Sequence, residues 1–453
     1  MGLKEEKTYY QLIPEKIYDN LQTISSILQS VINGYSTDCL TEVISIIAFH
    51  IQKSDGFAPL QIKTLKTLIP QADKYLSGLI DLGIVLREGR YIPGEISYKY
   101  KFAPEYESRY RIVSLQNARL VRRIEQVWQR QKAEARRSIR GHCGQTEFLK
   151  ILQIDNSFKD YLSNCYTVET DQYNSILASA YRIINGDIYY SIDNTSHRFH
   201  SNLTNMAKDL RPYLRIKGEP LVNIDVKNSQ PYLSTILLTN PGKVSWLTEN
   251  PAFVLLLQSL KVSLNLDVKK YISLVASGTL YEYLMTEFST EGLTLTRDET
   301  KRQMLRILFA RNRTPRDEIN RKARQIFKDR FPTVHRIFSK VRGHTKGDKF
   351  HNYKRFAILL QRIEAYLILD VILRRIYKEL PGTITVTIHD SIMTGVLTNN
   401  VEAVRKIMIE ELTFFVGIPP KIQIEENNKR KEKDRERTII YNQYDATTFV
   451  SIN

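Results

Sequence analysis

The spacing of apolar positions changes character along the chain, and each change predicts a different kind of element. Between residues 37 and 52 the run TDCLTEVISIIAFHIQ repeats its apolar residues at helical spacing, and APLQIKTLKTLIP and ADKYLSGLIDLG continue that period. The last helix is expected to stop at Gly83. IVLREGRYIPG then reads as a strand, a turn at Glu88-Gly89 and a second strand. From Tyr110 to Ile139 there is no Pro or Gly, which predicts one long helix carrying Trp128 and Arg122, Arg123, Arg130, Arg136, Arg137 and Arg140. From about residue 190 strands and helices alternate. LVNIDV is a strand ending at Asp225, TITVTIHDSIMTGVL is a hairpin around His389-Asp390-Ser391, and long helices lie between. NNKRKEKDRERT, residues 427–438, is too charged to pack and reads as an exposed linker before a last strand, TIIYNQ.

These patterns divide the chain into a front module (1–105), a helical region (106–190), a mixed α+β body (191–425) and a charged segment with a C-terminal strand (426–453). Helix, helix, helix and hairpin in that order resemble a winged helix, a fold that contacts DNA in some proteins and other proteins elsewhere.

Composition narrows the function classes. An apolar share of 42% with 10% aromatics belongs to a chain that folds around cores. Lys and Arg outnumber Asp and Glu by 66 to 49, a formal charge of +17, which favours a polyanionic partner. The three cysteines, Cys39, Cys143 and Cys165, have neither CxxC nor zinc-ligand spacing. Charges interrupt every apolar stretch, and the first residues have no signal-peptide core, so an intracellular, cytoplasmic protein without a membrane partner is expected.

The candidate chemistry begins with two acids at strand ends. Asp225 closes LVNID and Asp390 follows ITVTIH. A carboxylate delivered to a sheet edge needs a cation, a donor or a metal, and two of them from separate strands can share a pair of Mg²⁺ ions, Mn²⁺ substituting. Between them, in TRDETKRQMLRILFARN, Arg297, Lys301, Leu305 and Phe309 recur every four residues and so share one helix face. Two cations, a hydrophobe and an aromatic on one face suit a nucleoside triphosphate. An ordinary amphipathic helix looks the same.

Four motifs in order resemble family A DNA polymerases and the single-subunit phage RNA polymerases. TSHRFHSNLTNM is similar to the family's TGR…PNLQNIP segment, with Arg198, Asn202 and Asn205 at matching places. NIDVKNSQPYL resembles motif A, DYSQIEL. R-x3-K-x3-L-x3-F has the spacing of motif B, and IHDSIMTG resembles motif C. FAILLQRIEAYLILD is similar to the helix that carries a minor-groove glutamine, which would be Gln361.

The resemblance spans roughly residues 190–425 and implies a right-hand polymerase of palm, fingers and thumb. Asp225 and Asp390 would hold the metals, and Lys301 would be a catalytic cation. Arg297, Lys301, Leu305, Phe309 and Gln230 would bind the nucleotide. Arg198, Asn202, Asn205, Gln361 and His389 would contact the primer-template. Partners would be a DNA primer-template and nucleoside triphosphates.

Departures from the family pattern bear on the sugar. Gln230 stands where motif A has a Glu that excludes the ribose 2′-hydroxyl, Leu305 replaces an aromatic, Phe309-Ala310 replaces Tyr-Gly, and Ser391 follows the motif C aspartate. The expectation is a DNA polymerase with weakened sugar discrimination, in phage or mobile-element replication. The alternatives are a primase or RNA polymerase on the same palm, or a non-enzymatic replication initiator. No paired-acid exonuclease pattern precedes residue 190.

Overall fold

The computed structural model describes residues 8–51, 56–89, 97–139, 143–165, 170–343, 352–396 and 400–425. The charged segment 427–438, TIIYNQ, residues 90–94 of the expected hairpin and Arg140 lie outside the described residues, and the Arg137 and Cys143 side chains are not described.

Strand β1 (Tyr9–Pro14) comes first, followed by helices Glu15–Asp19, Leu21–Val31 and Thr37–His50. Then come β2 (Ala58–Pro59), helices Ile62–Leu68 and Ala72–Asp81, and strands β3 (Val85–Glu88) and β4 (Lys99–Phe102). The three short strands form one sheet in the order β2-β4-β3. The expected helices are present. The partner of Val85–Glu88 differs from expectation: it is Lys99–Phe102, with Glu88 opposite Lys99. KYKF alternates and buries Tyr100 and Phe102, whereas the residues directly after the turn include Pro93, which cannot donate to a ladder.

A second correction concerns the long helix. Tyr110–Leu115 is strand β5, paired antiparallel with β1 so that Tyr9 faces Leu115. The helix starts at Ala118 and runs to Ser138, capped by Asn117, whose side chain accepts from the Arg119 and Leu120 amides at 3.1 Å each. YRIVSL is rich in aromatic and β-branched residues, and YYQLIP offers it a strand. That distant pairing decides the conformation where absence of Gly and Pro does not. The β1–β5 pair brackets the module. Asn185 ties it to the body, donating to Tyr10 O at 2.8 Å and accepting from Tyr10 N at 3.0 Å.

Helix Cys143–Lys150, β6 (Leu152–Ile154) and helices Phe158–Cys165 and Thr170–Asn185 lead to a hairpin of β7 (Tyr190–Ile192) and β8 (Phe199–Ser201). Next come β9 (Leu214–Ile216) and β10 (Glu219–Val226), joined through Lys217-Gly218, both with positive φ as a tight hairpin turn requires. Helices then follow one another from Ser229 to Arg342 and again from Asn352 to Glu379, the last part continuing through a π-helical segment, Tyr366–Ile372. β11 (Thr385–Ile388), β12 (Ser391–Gly395), helix Val401–Val416 and β13 (Ile422–Glu425) complete the described chain.

The main sheet has the order β11-β12-β10-β9-β6, with β13 also on β10. β10 therefore has β12 along one side and, along the other, β9 at its start and β13 at its end. Leu221, Val222, Ile224 and Val226 are all buried, so β10 is covered on both faces. No described helix is long and apolar enough to cross a membrane.

Candidate active site

Asp225 lies opposite Ser391 on β12 and opposite Gln423 on β13, which fixes its backbone from both sides. β11 and β12 pair through Ile388 and Ser391, leaving His389 and Asp390 as a two-residue turn, with His389 at φ 55°. The turn brings Asp390 beside Asp225. Among the described residues neither carboxylate has a Lys, Arg or His at ion-pair distance. Burial raises both, and for Asp225 the charges of Asp390 and Glu425 add to the rise while Lys301 and Lys208 oppose it. Asp390 is raised by burial against its own backbone N–H, the Ser229 hydroxyl, Arg198 and Lys301.

The hard oxygen donors suit Mg²⁺, which binds through one or two carboxylates and takes the rest of its shell from water and phosphate. Among the described residues no group of three or more His, Cys, Asp or Glu gathers as a closed metal cage. Several buried polar atoms beside the pair lack hydrogen-bond partners among the described residues: both amide atoms of Asn228, Oε1 of Gln230 and Oδ1 of Asn223. Asn228 is held in the left-handed region at φ 54° as the chain leaves β10 for the Ser229–Ser234 helix.

The helix carrying the four-residue repeat runs from Arg297 to Phe309. Its core face is Thr300, Gln303, Met304, Ile307 and Leu308; Arg297 and Lys301 are exposed and Leu305 and Phe309 half-buried. The two cations of the repeat thus face outward, while its two hydrophobes border the face that packs. Both ends of the helix are fixed. At the start, Thr296 and Glu299 form a capping box. At the end, the buried Arg342 donates to the carbonyls of Ile307 and Leu308, and to Asn312 Oδ1 at 2.9 Å. Burial, and then Arg324, pull the Arg342 guanidinium down to about 9.

The expected side chains fall into distinct settings. Lys301 has no ion-pair partner among the described residues, and its charge is felt at both acids. Arg297 is engaged locally, donating to Glu282 Oε1 at 2.8 Å with its guanidinium 5.4 Å from the Tyr281 ring. Leu305 packs against the core, and Phe309 meets Phe356 edge-on at 6.2 Å. Asn202 is buried and spends its amide on Tyr189 N and Asp187 O, at 2.9 and 2.8 Å. Asn205 is exposed, its amide donating to Tyr189 Oη at 3.2 Å. Gln361 is half-buried.

Glu364, three residues beyond Gln361, is the residue sequence reasoning missed. It is buried and accepts from Arg198 Nε and NH2 at 2.8 and 2.9 Å and from Gln230 Nε2 at 2.5 Å. Burial and the charge of Asp390 push its carboxyl up to about 7, against the pull of Arg198 and Gln230. Its only signal was that it is the one acid of the Arg355–Ala365 helix, three residues after Gln361. Lys208, Ser229 and Arg342 were missed too.

His389 meets His200 edge to face at 5.9 Å, and its Nδ1 is buried without a partner among the described residues. Burial, then Arg198, His200 and Arg211, pull its imidazole down to about 4, so it is neutral at pH 7. Asp193 anchors this corner. Its carboxylate accepts from the Thr195 and Ser196 amides, the Ser196 hydroxyl and the Arg198 amide, and lies 3.1 Å from His200 Nε2.

No family model matches this chain, and no curated protein sequence does. Among solved structures the chain is similar to the polymerase domain of Pol1 from M. smegmatis in complex with DNA primer-template and dNTP, at 12% identity and a TM-score of 0.28. The match covers 67% of this chain and 65% of that one, so the chain spans less than two thirds of its length.

Proposed function

We propose that the chain is a template-directed nucleotide polymerase whose reacting groups meet at Asp225 and Asp390. The observation that carries this reading is a pair of raised carboxylates on neighbouring paired strands, without ion-pair partners among the described residues, together with a lysine acting on both that has no ion-pair partner among them either. Burying two acids side by side is costly unless a cation completes the site.

Asp225 and Asp390 would hold Mg²⁺, which supplies positive charge to the attacking and departing oxygens. In the reaction the 3′-hydroxyl of a strand gives up its proton to water as its oxygen bonds to the α-phosphorus, the bond to the bridging oxygen breaks, and pyrophosphate leaves. Lys301 meets the negative charge on the leaving group and can donate it a proton. Arg198, held by Glu364, and the neutral His389 would line the strand terminus. Asn205 and Gln361 would lie along the primer-template, and Leu305 and Phe309 would flank the nucleotide. The Glu282 contact gives Arg297 a supporting role in triphosphate binding. The front module's order, helix, β2, two helices, β3 and β4, fits a winged helix that engages duplex beside this site.

One observation favours a second reading on the same site. Gln230 is held by Glu364 through its amide nitrogen, which leaves Oε1 buried and without a partner among the described residues. A ribose 2′-hydroxyl is a donor that this acceptor can take, which favours ribonucleotide use. Primer extension with dNTPs and with NTPs tests both readings. Incorporation of either supports the polymerase, and the preferred sugar chooses between the two. Binding of primer-template without any incorporation would sink both and favour an initiator.

A further inference from the structure

A cavity of about 460 Å³ lies between the front module and the arginine-bearing helix, and every residue lining it falls between Tyr9 and Tyr189. None belongs to the Asp225/Asp390 site. Its volume is within the ~300–1,000 Å³ of small-molecule sites. One side is aromatic: Trp128 and Tyr9 stand 5.6 Å apart, tilted by 42°. Phe49 and Tyr189 add two more rings to the lining.

The polar side is rich in acceptors. Among the described residues Glu42 takes one hydrogen bond, from Gln11 Nε2 at 3.1 Å to Oε2. Asp187 is 3.8 Å from the Arg182 guanidinium, which is also committed to Phe49 O at 3.0 Å. Burial raises both acids, and burial and Arg182 lower His50, so the imidazole adds no charge. Arg182 and Lys132 already act on Asp187, which leaves Glu42 as the acid open to a ligand. Beside the rings, that acceptor favours a planar ring with adjacent N–H donors on one edge and acceptors on another.

Guanine has that pattern. Its N1–H and N2–H suit a single carboxylate, its O6 and N7 accept from a guanidinium, and its faces stack on aromatic rings. Arg122, Arg123 and Arg130, exposed on the helix that supplies Trp128, offer phosphate contacts outside.

We propose that this cavity is a base-binding site that takes guanine, from a free nucleotide or an unpaired position in a single strand, with Glu42 reading its N–H edge. The site is independent of the polymerase reading.

The chain's two tryptophans are Trp128 and Trp246, so Trp246→Phe leaves Trp128 as the sole reporter of the cavity. Metal-free titration of that variant with GMP, AMP, CMP and UMP should quench its fluorescence saturably with GMP, at least ~10-fold more tightly than with CMP or UMP. Glu42→Gln should weaken GMP by ~10-fold or more while keeping its melting temperature, and Asp225→Asn should leave GMP binding unchanged.

An oligothymidylate with one guanine fixes the source. Tighter binding than GMP assigns the site to a strand, weaker binding to a free nucleotide, and either upholds the base site. No saturable quench, an equal response to all four nucleotides, unchanged GMP affinity in Glu42→Gln, or lost binding in Asp225→Asn would each overturn it. Failure of nucleotide incorporation would leave this result standing.

Discussion

Two regions of the molecule bury pairs of carboxylates, and they differ in what surrounds the acids. Asp225 sits on a strand fixed by backbone pairing on both flanks, and Asp390 in the turn beside it, each acid close enough for its charge to bear on the pair. Glu42 and Asp187 stand on separate helical and loop segments around an aromatic-walled cavity. Both pairs are raised mainly by burial, so the shift by itself does not distinguish them. Geometry does. Neighbouring acids on paired strands ask for a small hard cation, while acids on separate segments beside rings ask for a flat donor.

The largest expected effect breaks the comparison if it fails. Asp225→Asn and Asp390→Asn should each cost about 10³-fold or more in nucleotide incorporation, with primer-template binding within ~2-fold, because binding rests on Lys and Arg. Single-turnover extension and a filter-binding isotherm measure the two quantities. A comparable loss of incorporation in Glu42→Gln would mean that the two acid sites act as one.

Lys301→Ala should slow incorporation by about 10²-fold, as removal of a positioned acid or cation usually does. Arg297→Ala should change it by less than ~10-fold, since Glu282 already holds that guanidinium. A larger loss at Arg297 than at Lys301 in steady-state kinetics would reverse their assigned roles.

The raised acids also have a signature in stability. A carboxyl whose folded value is above its unfolded value binds more protons when folded, so stability falls as pH rises above about 4. Without metal, Asp225→Asn should therefore melt ~1–3 °C above wild type at pH 8, a gap that closes towards pH 4. Added Mg²⁺ should raise the wild-type melting temperature and leave the variant's nearly unchanged. A pH-independent gap would show that the two acids are not strained against each other.

The smallest effect concerns the sugar. Gln230→Ala should alter the dATP:ATP ratio opposite a template T by no more than ~10-fold, because selection by shape alone is modest. A fall in ATP use would support Oε1 as acceptor of a 2′-hydroxyl. A rise would make Gln230 a space-filling barrier.

What could be read in the sequence was what lies close together in it. The strand before Asp225, the hairpin at His389-Asp390 and the period from Arg297 to Phe309 are local patterns, and each has its expected form. The Arg198–Glu364 pair spans 166 residues, and the Arg342 contact that caps the Arg297–Phe309 helix spans 35. No local period signals such contacts. The β1–β5 ladder joins residues on either side of the whole front module, so Tyr110–Leu115 looked helical until its partner was known. Asn202 looked available for the same reason, since the carbonyl and amide it satisfies belong to residues 187 and 189.

The place of β13 has a consequence for biosynthesis. The strand that closes the far side of β10 is made last among the described elements, with 195 residues between Val226 and Ile422. At ~5–20 residues per second of translation, β10 waits about 10–40 s for that neighbour, and nearly as long for β12. During this interval Leu221, Val222 and Ile224 form an apolar strand with open edges on a nascent chain. Residues as far as Glu425 must leave the ribosome before the central acids are enclosed. A pause before that point would expose a sticky strand while the acid pair was still open.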